Sequence, residues 1–149
     1  MAGQGRTDHR GYGEAVIREL QALAIEVEGD LAIPQSESKR AMRIGLDSSQ
    51  FWGGRFENTV YVDLEWDEEQ GWAVLDTHEP GAVRGLAYCH YGLGVGLVAE
   101  PAEVARTVEA LRADENFVDG SIYKRRRADR HDPEFEAALA AHLPPANSG

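Results

Sequence analysis

One heptapeptide constrains this chain more than anything else in it: Trp66-Asp67-Glu68-Glu69-Gln70-Gly71-Trp72. Two tryptophans flank an acidic turn that closes on glycine, the residue able to take positive φ where a hairpin reverses. Before it, Val60, Val62, Leu64 and Trp66 alternate with Thr59, Tyr61, Asp63 and Glu65. A strand repeats every two residues, so one set belongs to a buried face and the other to water. After it, Trp72-Ala73-Val74-Leu75 returns. The stretch predicts an antiparallel hairpin in a sheet that is covered on one side only.

The flanking segments extend that unit. Tyr12, Val16, Leu20, Leu23 and Val27 recur at helical spacing, and Gly29-Asp30 supplies a stop. Leu31–Pro34 reads as a short edge piece, because proline cannot donate to a ladder. Met42, Ile44 and Leu46 share one face of a strand over 41–46. Residues 47–57 read as a loop, from which Phe51-Trp52 tuck back over the core edge. The glycine-rich stretch Val83–Val98 carries one or two further strands. Pro101 then opens a helix with Val104, Val108 and Leu111 as its buried stripe. Phe117–Tyr123 suits a tight hairpin around Asp119-Gly120. Asp132 caps a last helix, whose apolar face holds Phe135, Ala138, Leu139 and His142.

The expected fold is α+β: an antiparallel sheet of about four or five strands, the N-terminal helix and a later helix packed on one face, and a C-terminal helical appendage. The expected division is a flexible tail over 1–9, a single domain over 10–115, a C-terminal extension over 116–143 and a second loose tail over 144–149.

Charge narrows the choice of partners. The net charge is -11, and residues 11–100 hold sixteen acidic side chains against six basic ones. Such a body repels nucleic acid and anionic membranes. No apolar run approaches the roughly 20 residues that span a bilayer, and no export signal is visible, so no membrane partner is expected. Cys89 is the one cysteine, which suits a reducing cytoplasm.

Against this stands one basic cluster, Lys124-Arg125-Arg126-Arg127 with Arg130. It either lies solvated or folded back on the acidic body, contacts a partner protein, or meets nucleic-acid phosphates. Self-pairing gains weight from the acidity of the rest.

Other motifs carry less chemistry. The acidic hairpin residues Asp63, Glu65, Asp67, Glu68 and Glu69 lack the spacing of a calcium loop, and a solvated tip is the plainer reading. Gly92-Leu93-Gly94-Val95-Gly96 lacks the dinucleotide fingerprint. Cys89 and His90 are strand neighbours that point to opposite faces, so they do not form a catalytic pair, although His78 could approach either one. The five histidines are too scattered for a zinc site. No catalytic residue, metal or cofactor is expected.

The Tyr12-led helix, Trp66-x-x-Glu69-x-Gly71-Trp72, Tyr91-Gly92 and Pro101-x-x-Val104-Ala105 together resemble a family of small uncharacterised actinobacterial proteins, over residues 12–111. The resemblance implies a cytoplasmic protein of a high-GC bacterium and carries no assigned activity. The segment from Asn116 onward lies outside it.

The sequence therefore points first to a non-enzymatic cytoplasmic interaction protein, an adaptor or regulator. It would present Phe51, Trp52, Trp66 and Trp72 to a protein partner, with the acidic surface steering association. A second expectation is a small-molecule-binding protein or enzyme, with a pocket between sheet and helix lined by His78, Tyr88, Cys89 and His90. A third is an acidic nucleic-acid mimic that inhibits a DNA-binding protein. It requires the acidic hairpin residues to form a regular exposed row. The sequence sets no oligomeric state.

Overall fold

The structure is a computed structural model that describes residues 6–34, 38–51, 59–79, 85–113 and 124–143. The order of elements is α1 (Arg10–Ala22), β1 (Val27–Ala32), β2 (Ala41–Leu46), a 3-10 turn at Ser48–Gln50, β3 (Thr59–Asp67), β4 (Gly71–His78), β5 (Ala87–Gly92), α2 (Pro101–Ala113) and α3 (Pro133–Ala140). The five strands pair antiparallel in chain order, β1-β2-β3-β4-β5. The α+β expectation is thereby met.

The alternation in β3 decides which face is inside. Val62, Leu64 and Trp66 are buried, and their partners across the ladders, Met42, Ile44 and Leu46 on β2 and Trp72 and Val74 on β4, are buried with them. Onto this face α1 brings Tyr12, Val16 and Leu20, and α2 brings Val104, Val108 and Leu111, all fully buried. The two helices also pack on each other. Gly13 is what lets α1 sit so low: a β-carbon there would lie 2.6 Å from the Met42 sulfur and 2.8 Å from a Leu31 methyl.

Two local expectations change. The first helix stops at Ala22 rather than Gly29, because the chain turns through Ala24 at φ 60. Val27 consequently starts β1 instead of closing the helical stripe, and Leu23 is left 37% exposed. Gly29, read as a helix stop, lies inside β1 at φ +72, where the register with β2 slips. The strand expected within Val83–Val98 is β5; the chain leaves the sheet at Gly92, and Gly94 and Gly96 belong to the connection into α2, where Leu93, Val95 and Ala99 are buried.

The C-terminal helix is the expected appendage, and it docks on the core. Asp132 caps it, accepting from the Phe135 amide at 3.2 Å, and Phe135 and Leu139 join the same apolar core as the sheet. The hairpin expected over Phe117–Tyr123 lies outside the described residues.

Candidate functional site

The Trp-acidic-Gly-Trp hairpin forms as read. Trp66 faces Trp72 across the ladder and Asp67 faces Gly71. The turn is held by the Asp67 carboxylate, which accepts from the Glu69 and Gln70 amides at 2.8 and 2.7 Å, and Gly71 sits at φ +87. The two indoles, however, point inward. Trp66 is 1% and Trp72 2% exposed. Their N–H groups are spoken for: Trp66 Nε1 donates to the Leu97 carbonyl at 2.6 Å, and Trp72 Nε1 to Tyr12 Oη at 2.9 Å. Tyr12 in turn donates to the Ala99 carbonyl at 2.6 Å. Burial pushes the Tyr12 phenol well above its ordinary range. The expectation that these indoles are presented to a partner is corrected. Period-two alternation put Trp66 on the apolar face, and an indole there buries both its area and its one donor. Phe51 is buried as well, at 4%, and Trp52 lies outside the described residues.

The acidic tip and the basic run meet each other. Glu68 is 0% exposed and forms the centre of a five-residue clasp. Its Oε1 accepts from Arg40 Nη2 at 3.0 Å and Arg126 Nη1 at 2.8 Å. Its Oε2 accepts from Arg40 Nε at 3.2 Å, from Arg6 at 2.8 Å and from the Arg40 amide. Glu136 on α3 takes the other edge of the Arg40 guanidinium in a two-pronged pair, at 2.8 and 2.6 Å, and accepts from the Thr7 amide. Burial alone would raise both carboxyls, but these donors outweigh it: Glu68 is held below the usual carboxylate range and Glu136 down to about 2.

The remaining basic residues follow the same logic. Lys124 lies 3.4 Å from Glu69, the Arg125 amide donates to the Glu69 carbonyl at 2.7 Å, and Arg125 Nη1 donates to the Val95 carbonyl. Arg127 pairs with Asp129 at 2.8 Å, and Arg126 Nη2 donates to the carbonyl of Arg130. Lys124, Arg125 and Arg126 thus fold back on the body, whereas Arg127 pairs with its exposed neighbour Asp129. The acidic hairpin residues do not form one exposed row: Glu68 is buried, Glu69 is tied to the Ala128 amide, and Asp67 caps the turn.

The outer face of the sheet is different in character. The ladders align Tyr61–Thr77–Tyr88 in one row, Gly45–Asp63–Leu75–His90 in the next and Arg43–Glu65–Ala73–Gly92 in the third. Tyr61 and Tyr88 are 59% and 63% exposed, among the largest apolar exposures described. Glu65 is gripped from both sides, by Arg43 at 2.5 Å and His90 at 3.3 Å, and the second bridge passes over β4. Burial raises the Asp63 carboxyl, and the neighbouring Glu65 and Glu28 add to this against the pull of Arg43. Beside the bridge lies a hollow of about 190 Å³ rimmed by Pro34, Arg43, Glu65, Gln70 and His90.

At the opposite end of the inner face Asp76 is 1% exposed, opposite Cys89. Thr59 donates to its Oδ1 at 2.8 Å, while Oδ2 and the His78 Nδ1, 3.6 Å apart, have no hydrogen-bond partner. Burial raises the Asp76 carboxyl. Tyr88 and His90 face outward and Cys89 inward, so the four residues expected to line one pocket do not share a face. The interface between α1 and the sheet is filled by Tyr12, Val16 and Leu20. Among the described residues no group of histidine, cysteine and carboxylate side chains is placed to hold a metal, and no helix is long and apolar enough to cross a membrane.

Sequence reasoning missed Arg40 and Glu136, gave Tyr61 no role, and placed Tyr88 in a pocket rather than on the outer face of the sheet. The tyrosine at 61 was legible, since it sits on the polar phase of β3. Arg40 and Glu136 are far apart in the chain, and nothing local links them.

A family model matches residues 12–110, and the chain belongs to that family, described as a family of unknown function, DUF6292. No curated protein and no solved structure matches the chain.

Proposed function

We propose that this is a non-enzymatic cytoplasmic interaction protein of adaptor or regulatory type, and that a basic protein partner docks on the outer face of its sheet. One observation carries the reading: Tyr61 and Tyr88 stand exposed on the face opposite the core, two strands or about 9.5 Å apart, with Thr77 between them. Solvated tyrosines are favoured anchors, giving large contact area and a polar tip at low entropic cost. Asp63 and Glu65 beside them, on a chain of net charge -11, favour a cationic surface opposite. The anchors are thus these tyrosines rather than Trp66 and Trp72.

The test is quantitative affinity capture from the native lysate with wild type, Tyr61→Ala/Tyr88→Ala and Lys124→Ala/Arg127→Ala. The expected result is a protein retained by wild type and by the basic-run variant, and reduced at least ten-fold by the tyrosine variant. A partner that survives loss of both tyrosines, or disappears only with the basic run, would overturn the proposal.

A second reading, a small-molecule-binding protein or enzyme, is favoured by Asp76 Oδ2 and His78 Nδ1, buried 3.6 Å apart and each without a hydrogen bond. Buried polar atoms left unpaired are uncommon and concentrate at functional sites. Native mass spectrometry distinguishes the two: a co-purifying small molecule lost in Asp76→Asn supports this reading, and an unliganded mass for both proteins counts against it.

A further inference from the structure

The clasp has a second aspect, independent of the outer sheet face. Glu68 fixes the Nε and Nη2 side of the Arg40 guanidinium from within the core. The Nη1 and Nη2 edge is thereby aimed outward as a rigid two-donor fork, and Glu136 of α3 fills it. Next to the fork lies an aromatic slot. Phe135 stacks on Trp66, with ring centroids 6.3 Å apart and planes 10° from parallel, and lies beneath the Arg126 guanidinium at 4.1 Å. One turn on, Leu139 is fully buried, and the His142 ring rests 5.0 Å from that of Tyr12. A β-carbon at Gly11 would collide with the His142 carbonyl.

The family model covers most of the lining, but neither Arg126 nor the filling. Tyr12, Arg40, Trp66 and Glu68 fall within the 99 residues matched by the family model, from 12 to 110. The whole of α3, Pro133–Ala140, falls outside them. A helix of eight residues is too short to persist alone in water, so α3 exists because it is docked. Undocking leaves no orphaned buried charge: Arg40 and Arg126 both keep Glu68, and Arg40 keeps the Thr7 carbonyl.

We propose that this groove is a helix-docking site, filled in cis by α3, for a partner's amphipathic helix that carries an aromatic residue, a glutamate directly after it and a leucine four residues after the aromatic. The fork reads the glutamate, the Trp66 slot reads the aromatic, and charge complementarity selects an acidic helix face over a basic one. The tethered α3 has an effective concentration on the order of millimolar, so a partner helix must compete with it. The surface and the partner differ from those of the outer sheet face, and either proposal can fail alone.

The probe is a labelled peptide of residues 130–143, added to the full-length protein. Native-state hydrogen exchange is expected to show the α3 amides opening at least ten-fold more often than those of β3 and β4. Saturating peptide should raise that exchange further by displacing α3. In anisotropy, Phe135→Ala/Leu139→Ala protein should bind the peptide at least ten-fold more tightly than wild type does, and a Glu136→Gln peptide should bind at least ten-fold more weakly. If the double variant loses its circular dichroism, Glu136→Gln full-length protein replaces it, with a three-fold or greater gain expected. Exchange of α3 only through global unfolding, or folded variants that do not take up the peptide, would overturn the proposal. A dimer that the peptide dissolves would assign the groove to the α3 of a second copy and overturn it equally.

Discussion

Single residues in this protein are decided by whether a buried polar group is paired. Glu68 is wholly buried yet touches three guanidiniums, so it is a satisfied charge and not a surface carboxylate. Removing Glu68 leaves the buried Arg126 guanidinium without its carboxylate, although Arg40 keeps Glu136, and breaking such a buried pair costs about 3–5 kcal/mol. Glu68→Ala is therefore expected to lower the urea midpoint by that amount at constant slope. An unchanged midpoint would mean the clasp is solvated in solution. Asp76 is the opposite case, with one oxygen hydrogen-bonded by Thr59 and the other unpaired. An unpaired buried acceptor costs about 1–3 kcal/mol. Asp76→Asn keeps the shape, removes the charge and supplies a donor towards His78. It is expected to stabilise the protein by about 1 kcal/mol at neutral pH in thermal or urea unfolding. A loss of stability would show that the carboxylate has a partner in solution.

Among elements, α1 meets the segment that follows α3 through Gly11 and Tyr12, both against His142. Gly11 is the second residue of α1, where alanine is ordinarily better by at most about 1 kcal/mol, the helix-interior value. Here the added methyl meets a backbone carbonyl of the α3 terminus, which cannot swing away as a side chain can. Gly11→Ala is accordingly expected to destabilise the fold and to free the α3 amides in hydrogen exchange, while those of β3 and β4 stay protected. The ordinary helix-favouring gain would mean that α3 does not rest there. The hairpin strands were the most legible elements, because alternation over β3 specifies both face and register. The first helix was legible at its start and not at its end. The apolar spacing continues through Leu23 and Val27, but the turn at Ala24 is set by the pairing of Val27 with Leu46 on β2.

The whole molecule is held at one end by the clasp, which ties the N-terminal segment, β2, the hairpin tip, the 124–128 segment and α3. Its pH dependence follows from the two carboxyls. Both are held below their unfolded values, Glu136 at about 2 against an ordinary 4.5. A depressed carboxyl stabilises fully above its unfolded pKa and loses that contribution as pH falls through the folded one. Stability is thus expected to decline between about pH 4.5 and 2, and Glu136→Gln should flatten that decline in urea titrations taken at each pH. Parallel pH profiles for variant and wild type would remove Glu136 from the clasp.

What the chain determined by itself is local and periodic: the α+β class, the hairpin and its turn, the inward face of β3 and the capped last helix. Each rests on spacing of two or about four residues, which any short window displays. Which groups ended up as surface was decided only by the tertiary structure. Trp66 and Trp72 became core because α1 supplied Tyr12 to accept an indole N–H and the approach to α2 supplied the Leu97 carbonyl. Glu68 became buried because Arg40, 28 positions away, and Arg126, 58 positions away, came to meet it. Burial of a polar group depends on partners distant in the chain, and no local pattern records them.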